Sequence, residues 1–417
     1  MVGINFLNYV DRYVGAAIAP QIKTEFHLTD AQVGLLGTAF LLVYAVAALP
    51  FGFWGDRGVR RTVIGVGVTI WSLATLVSGL AVNYLQLFVS RAVVGIGEAS
   101  YFPAGTSLVS DYFPSGQRGR VMSIWGAGSA IGIAVAYGGG GYVGDHLGWR
   151  PAFFFAAIPG LLFAILAFTM REPLRGSMER IGPAVKRTSD ATVRTFINLM
   201  RIRTLRATIL SQTVLFFVLA SNSFWLPTLL SRRFAMSLTT AGLLAGGVLV
   251  AGGLIGTLAG GWIADRRVKT SPAAHLEVGI AGFLIGAVFI TVALVAPMNI
   301  GPIPVFVPAF LLAVAALYLY SGPFTALSQN VVSPALRASC VTLLLLVSHV
   351  FGDSHSPFDV GWISDHVHSL QLALLITSPT LLVVAALIAA DGLRAVKADT
   401  EKMAAEWAAR TAEPAAV

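Results

Sequence analysis

The amino-acid sequence predicts an all-α membrane protein. Twelve transmembrane helices form two six-helix bundles, each built from 3+3 inverted repeats. Charged residues are only 12% of the 417 and hydrophobic residues 56%; a soluble globular chain carries about 25% charged residues, so the charge here cannot coat a water-exposed surface. Apolar runs of roughly 20 residues, each long enough to cross a bilayer as a helix, recur from end to end. One short pattern, Gly-x-x-x-Asp, returns four times in register.

The apolar runs place spans at 2–20, 31–53, 62–82, 85–109, 121–144, 149–170, 206–228, 240–263, 276–297, 303–328, 337–363 and 369–391. Thr29-x-x-Gln32 reads as a capping box before the second span, and Pro114, Pro297 and Pro334 fall in connections. The longest connection, 171–205, is rich in Arg, Lys, Ser and Thr and separates six spans from six. The expected organisation is an N-terminal half over 1–170, a cytoplasmic linker over 171–205, a C-terminal half over 206–392, and a tail over 393–417 that reads as an amphipathic surface helix.

Orientation follows from Lys and Arg, which concentrate on the cytoplasmic side of membrane proteins. With the N-terminus placed inside, 22 of the 28 basic residues fall in cytoplasmic connections or the tail. Four fall outside (Lys23, Arg150, Arg232, Arg233), and Arg12 and Arg91 lie within spans. The net charge of +8 is therefore a topology signal that can hug anionic lipid heads; no nucleic-acid partner is expected. Both termini are expected in the cytoplasm.

The Gly-x-x-x-Asp copies are "GFWGDR" (Gly52, Asp56), "GYVGDH" (Gly141, Asp145), "GWIADR" (Gly261, Asp265) and "GWISDH" (Gly361, Asp365). They close spans two, five, eight and eleven, the middle member of each successive triplet. Arg57 and Arg266 follow the inner copies, His146 and His366 the outer ones. Triplets of alternating orientation describe inverted repeats, an arrangement that secondary transporters use for alternating access.

A charge at mid-span costs about 2.5 to 3.5 kcal/mol on insertion scales, so such residues are functional candidates. Span one carries Asp11 and Arg12 side by side, and Asn5, Asn8 and Arg12 form a polar stripe at i, i+3, i+7. Span four carries Arg91 and Glu98, seven residues and so about 10 Å apart along one helix face. Gly95 between them admits a close neighbouring helix. A carboxylate caught between an apolar setting and a guanidinium can take and release a proton, so Glu98, with Asp11 as its partner candidate, reads as a proton-coupling site. The competing reading is a permanent Glu98–arginine pair.

Span eleven, "SHVFGDSHSPFDVGWISD", pairs His349 with Asp353 and His355 with Asp359 at i, i+4, near Gly352 and Pro357. This reads first as a polar hinge or gate and second as a proton relay. The cytoplasmic "GFWGDRGVRR" reads as a gate element, with Asp56 set against a helix N-terminus and Arg57 paired to Asp111. Ser221, Asn222, Ser223, Trp225, Tyr318, Tyr320 and Asn330 are weaker candidates for lining the path. The single Cys340 leaves no internal disulfide or CxxC metal site. No ATP-binding GxxxxGK[ST], HExxH or GxSxG motif occurs. No cofactor and no metal are expected, and the chain does not read as an enzyme.

"GDRGVRR" after span two and "RAVVGIGE" in span four resemble signature motifs of the major facilitator superfamily. "NYVDR" in span one, with "HVFGDSHSPFDVGWISD" in span eleven, resembles the Spinster family within it. Val59 departs from the usual Gly of the loop motif. The resemblance covers the whole chain and implies secondary transport by alternating access. Animal members are associated with export of sphingosine-1-phosphate or lysophospholipids. Carried over, Asp11 and Glu98 would be proton-sensing carboxylates. Arg12 and Arg91 would partner them or hold an anionic head group, and Asp56, Arg57 and Asp111 would latch the cytoplasmic side.

The leading expectation is a proton-coupled carrier of an amphipathic anionic lipid, monomeric and in a bacterial inner membrane. A carrier of a small organic anion fits the same charges. A membrane-embedded lipid-modifying enzyme would need His349, Asp353 and His355 gathered at a water-accessible site.

Overall fold

A computed structural model describes residues 1–174, 193–296, 299–300, 303–333 and 336–412. Most of the expected linker, 175–192, lies outside the described residues, as do Pro297, Pro334 and the side chain of Asp56. The first half of the chain forms α1 (Val2–Ala17), α2 (Ala19–Glu25), α3 (Asp30–Arg57), α4 (Arg60–Gly79), α5 (Tyr84–Ala99), α6 (Tyr101–Tyr112), α7 (Ser115–Leu147) and α8 (Trp149–Thr169). After α9 (Val193–Arg201) come α10 (Arg203–Phe234), α11 (Leu238–Arg267) and α12 (Ala274–Val295). A two-residue antiparallel pair follows, β1 (Asn299–Ile300) and β2 (Ile303–Pro304), in register Asn299 to Pro304 and Ile300 to Ile303. The chain ends with α13 (Phe306–Leu317), α14 (Ser321–Asn330), α15 (Arg337–Ser348), α16 (Ser356–Val367), α17 (Leu370–Leu393) and α18 (Val396–Ala412).

Among the described residues, nine helices are long and apolar enough to cross a membrane. The other three expected spans are those that carry charge or a break. The first is α1, 16 residues long with Asp11 and Arg12. The fourth divides at Ser100 into α5 and α6. The eleventh divides into α15 and α16 around a π-helical turn over His349–Asp353. The Thr29–Gln32 capping box is present, with Thr29 Oγ1 accepting from Gln32 N and Gln32 Oε1 from Thr29 N.

The described chain forms two compact units. The first comprises residues 1–174, 220–250 and 354–373. Within it α1 packs on α7, α4 on α8 and α5, and α3 on α5 and α16. Its core holds Val63, Ile64, Val68, Trp71, Val94, Tyr101, Leu108 and Trp125. Lipid is as apolar as these side chains, so close backbone approach supplies much of the packing energy. Gly95 illustrates it: a Cβ there would lie 2.4 Å from Phe40 O, so α3 and α5 can approach only because the residue is glycine.

The repeated motif acquires a structural role in the same unit. Asp365 of α16 accepts from the backbone N–H groups of Asp30 and Ala31 at 2.8 Å each. Asp145 of α7 accepts from those of Leu238 and Thr239 at 3.0 and 2.7 Å, and from the Thr239 hydroxyl at 2.6 Å. Each carboxylate thus caps the first turn of another helix, α3 or α11, where backbone donors have no intrahelical partner. The glycine four residues earlier makes room. A Cβ on Gly361 would lie 2.4 Å from Asp30 O, and one on Gly141 2.3 Å from Leu238 O.

The second unit comprises 193–219, 251–353 and 374–412. Here α12 packs on α13 and α14, and α15 on α14 and α9. Asp399 of α18 caps α10 by accepting from Thr204 N at 2.9 Å, and Arg203 pairs with Asp391 at 2.5 Å. By packing, the second part of α10, the first part of α11, all of α16 and the start of α17 belong to the first unit. Tyr137 of α7 donates to Ser223 O and Trp225 of α10 to Pro357 O, which ties these segments in place.

A buried charge cluster as the candidate functional site

Four charged side chains from two helices meet in the first unit. Helical spacing on α1 buries Asn5, Asn8 and Asp11 together. On α5, Arg91 and Glu98 are both buried. Arg12 donates to Glu98 Oε2 through Nε at 3.2 Å and Nη2 at 3.0 Å. Arg91 Nη2 donates to the backbone carbonyl of Asp11 at 3.2 Å. The sequence reading brought these residues to one place, and the structure does so too, through the Arg12 and Arg91 side chains that reach between α1 and α5.

The remaining valences are open. Among the described residues, neither Asp11 carboxylate oxygen has a hydrogen-bond partner, nor do Glu98 Oε1, Arg91 Nη1 or Asn8 Nδ2. Thr75 of α4 and Glu98 both bear on Asp11, yet Thr75 Oγ1 is also unpartnered. Buried polar atoms are nearly always hydrogen-bonded, so several orphans in one place call for a functional account. Asn5 leaves the expected polar stripe: its Nδ2 donates to Trp125 O at 2.7 Å and Ser129 Oγ at 2.8 Å on α7, where it joins helices.

Aromatic rings line the cluster. Arg12 Cζ lies 5.3 Å from the Tyr9 ring centroid, 5.3 Å from Phe40 and 5.0 Å from Tyr44. Arg91 Cζ lies 5.5 Å from Phe40 and 5.8 Å from Phe153. Phe40 therefore serves both guanidiniums, and cation–π attraction is strongest where water is excluded. These rings carried no signal in the sequence, because aromatic residues are common in any apolar helix.

The residues expected on the cytoplasmic side are arranged differently from expectation. Asp111 is paired by Arg60, not Arg57. Arg60 is fully buried, whereas Arg57 is exposed with no ion pair among the described residues. Arg60 also donates to Glu172 at 2.8 Å, Ser107 Oγ at 3.1 Å and Pro173 O at 2.9 Å. The reason is position: Arg60 starts α4, which packs against α6 and α8, while Arg57 ends α3 facing outward. Burial pushes the Glu172 carboxyl up, but the Arg61 N–H and the Arg60 guanidinium outweigh it and hold it below the usual range.

On span eleven the expected pairs form: His349 Nδ1 lies 2.6 Å from Asp353 Oδ2, and His355 Nδ1 2.5 Å from Asp359 Oδ2. The first pair sits on the π-helical turn, the second opens α16. His349 also packs at 5.6 Å on the Phe216 ring.

A model of the Major Facilitator Superfamily matches residues 1–352. "Protein spinster homolog 1" of Xenopus tropicalis is 31% identical over 87% of this chain and 72% of its own length. The chain belongs to the Spinster family of the major facilitator superfamily. "Probable sphingolipid transporter spinster homolog 1" of Arabidopsis thaliana is 28% identical, covering 94% of this chain and 86% of its own. Among solved structures, a bacterial homolog of the human lysosomal transporter Spinster, in an inward-facing and unoccupied conformation, is similar. It superposes with a TM-score of 0.80 at 25% identity over 96% of each chain. The fold is thus the twelve-helix transporter fold, with α1, α5–α6 and α15–α16 supplying the interrupted spans. This Spinster protein is a multi-pass membrane transporter and not an enzyme.

Proposed function

We propose that this Spinster protein is a proton-coupled carrier of an amphipathic lipid with an anionic head, of the sphingosine-1-phosphate or lysophospholipid type. The observation that carries the reading is the cluster of Asp11, Arg12, Arg91 and Glu98, in which one Glu98 oxygen is held by Arg12 while the other carboxylate oxygens have no hydrogen bond among the described residues. Two buried carboxylates that bear on each other titrate as a pair. A proton added to either removes one negative charge from the cluster, and one added to Glu98 frees Arg12, beside Arg91, for an anionic head group. Removing that proton returns Arg12 to Glu98 and releases the head group. Asn8 orients Glu98. The aromatic rings around Arg12 hold the guanidinium in place through the exchange.

The halves 1–170 and 206–392 rock about this site. Arg60, Asp111 and Glu172, with Asp56 and Arg57 beside them, form the cytoplasmic latch. His349 and Asp353 on the π-helical turn, with His355 just beyond it, form the polar hinge. The protein works as a monomer in the bacterial cell membrane with both termini in the cytoplasm, in keeping with the placement of its Lys and Arg residues. The lipid assignment draws on the sphingolipid transporter named among its relatives.

The test is transport by purified protein in liposomes with an imposed pH gradient, using sphingosine-1-phosphate and lysophosphatidylcholine. Gradient-driven movement that Glu98→Gln abolishes supports the reading. Movement indifferent to both gradient and mutation removes proton coupling. No lipid movement by folded protein, with uptake of a small carboxylate instead, replaces the lipid.

A further inference from the structure

A polar cavity lies away from the charge cluster. It measures about 470 Å³ and is lined by Lys23, Asp30, Arg232, Arg233, Asp365 and His368. Ligand pockets start at about 300 Å³, so the space suits a small solute or a head group. Three of the four basic residues assigned to the outer side converge here.

The two carboxylates are already occupied. Asp30 accepts from Lys23 Nζ at 2.6 Å, Arg232 Nη1 and Nη2 at 2.8 and 2.7 Å, and Ser364 Oγ at 2.7 Å. A carboxylate has about four acceptor positions, and Asp30 fills them. Asp365 spends one oxygen on each of two backbone N–H groups. The donors are not spent to the same degree. An ammonium has three N–H groups and a guanidinium five, and Lys23 uses one of these on Asp30 and Arg232 two. Among the residues that line the cavity, Lys23, Arg232 and Arg233 are cations and Asp30 and Asp365 anions. Lys23 and Arg232 keep about a third of their side-chain surface open.

We propose that this cavity is a second anion site, for a phosphate group carried either by a lipid head or by free phosphate. A tetrahedral oxyanion accepts several charge-assisted hydrogen bonds at once, which a fork of arginine and lysine donors provides. The walls come from α2, the start of α3, the end of α10 and the α16–α17 turn, so a bound phosphate ties these elements together. The side of the membrane it faces rests on the topology proposed above; whether it binds does not.

Purified full-length protein in an uncharged detergent, titrated with sodium phosphate against sodium chloride at matched ionic strength, tests this through the thermal midpoint. A ligand that binds only the folded state raises the midpoint saturably. The expected result is such a rise with phosphate. Arg233→Gln and Lys23→Gln should each raise the half-saturating concentration at least tenfold. Repeating the titration in phosphatidylcholine nanodiscs with and without phosphatidylglycerol separates the sources. A response lost in the anionic nanodiscs assigns the site to lipid heads, and one that persists assigns it to free phosphate. No rise beyond chloride, or a rise that both substitutions leave unchanged, overturns the proposal. Because the readout is binding, neither result bears on transport through the central cluster.

Discussion

Arg12 holds one oxygen of Glu98 with two donors, Nε at 3.2 Å and Nη2 at 3.0 Å, while the other oxygen has no hydrogen-bond partner among the described residues. A planar fork fixes the carboxylate in direction as well as in charge. Three aromatic rings fix the fork in turn. The pair is therefore positioned on one side and open on the other, which suits a group that must exchange a proton.

Arg12→Lys keeps the charge but loses the fork and weakens the ring contacts. A cation–π contact contributes about 0.5 to 2 kcal/mol and a charged hydrogen bond about 1.5 to 3. Transport should fall about tenfold or more at equal protein in the membrane. Flux in liposomes, with folded protein quantified by size-exclusion chromatography, checks this; flux within twofold of the native chain would count against a positioning role.

Arg60→Gln and Arg57→Gln should behave oppositely. Removing one partner of a buried ion pair costs about 3 to 5 kcal/mol, because the other is left uncompensated. Arg60 serves both Asp111 and Glu172, so its loss should lower the thermal midpoint in detergent by many degrees. Arg57 is exposed, and its substitution should stay within about 0.5 kcal/mol of the native chain. The reverse order would restore Arg57 as the partner of Asp111.

The same site gives a pH dependence. Glu172 binds its proton less readily when folded, through the Arg61 N–H and the Arg60 guanidinium. Its contribution is complete above the unfolded glutamate value of about 4.3 and is lost as pH falls through the lower folded value. Glu172→Gln should therefore lower the thermal midpoint at neutral pH, and the gap to the native chain should close only at pH about 4 and below. A gap that instead closes between pH 6 and 8 would refute the assignment.

Gly361→Leu should undock α16 from α3, since even a Cβ at that position would lie 2.4 Å from Asp30 O. Ser364, buried and donating to Asp30 at 2.7 Å, is a reporter position. The only native cysteine, Cys340, is buried and should stay silent. A Ser364→Cys substitution should react with a polar thiol reagent at least tenfold faster in the Gly361→Leu background. Equal rates would show that the interface absorbs the side chain.

The charge cluster was legible in the sequence because charge inside an apolar span is a signal that packing does not hide. Asp11, Arg12, Arg91 and Glu98 stood out for that reason, and Gly95 marked the close approach of α5 to α3, which carries the Phe40 and Tyr44 rings of the cluster. The choice of Arg60 over Arg57 was not legible. Three arginines stand within five positions, and which one turns inward depends on Glu172, 112 residues away. The repeated Gly-x-x-x-Asp announced the symmetry but not its use as a cap on another helix, because that needs the partner helix to be in place. Asp30 passed as an ordinary first-turn acid beside the Thr29 cap, although it gathers Lys23, Arg232 and Ser364. Such hubs are set by tertiary contacts of 200 to 330 positions, which local periodicity does not encode.

The most direct measurement is of protons themselves. Purified protein in weakly buffered uncharged detergent, with a soluble pH indicator, is mixed with sphingosine-1-phosphate or lysophosphatidylcholine. If Asp11 and Glu98 exchange a proton as the head group engages Arg12 and Arg91, lipid addition changes the indicator signal in proportion to protein, and Glu98→Gln with Asp11→Asn abolishes the change. Lipid that binds with no proton exchange in the native chain, or with undiminished exchange in the double variant, would contradict a proton-coupled cluster.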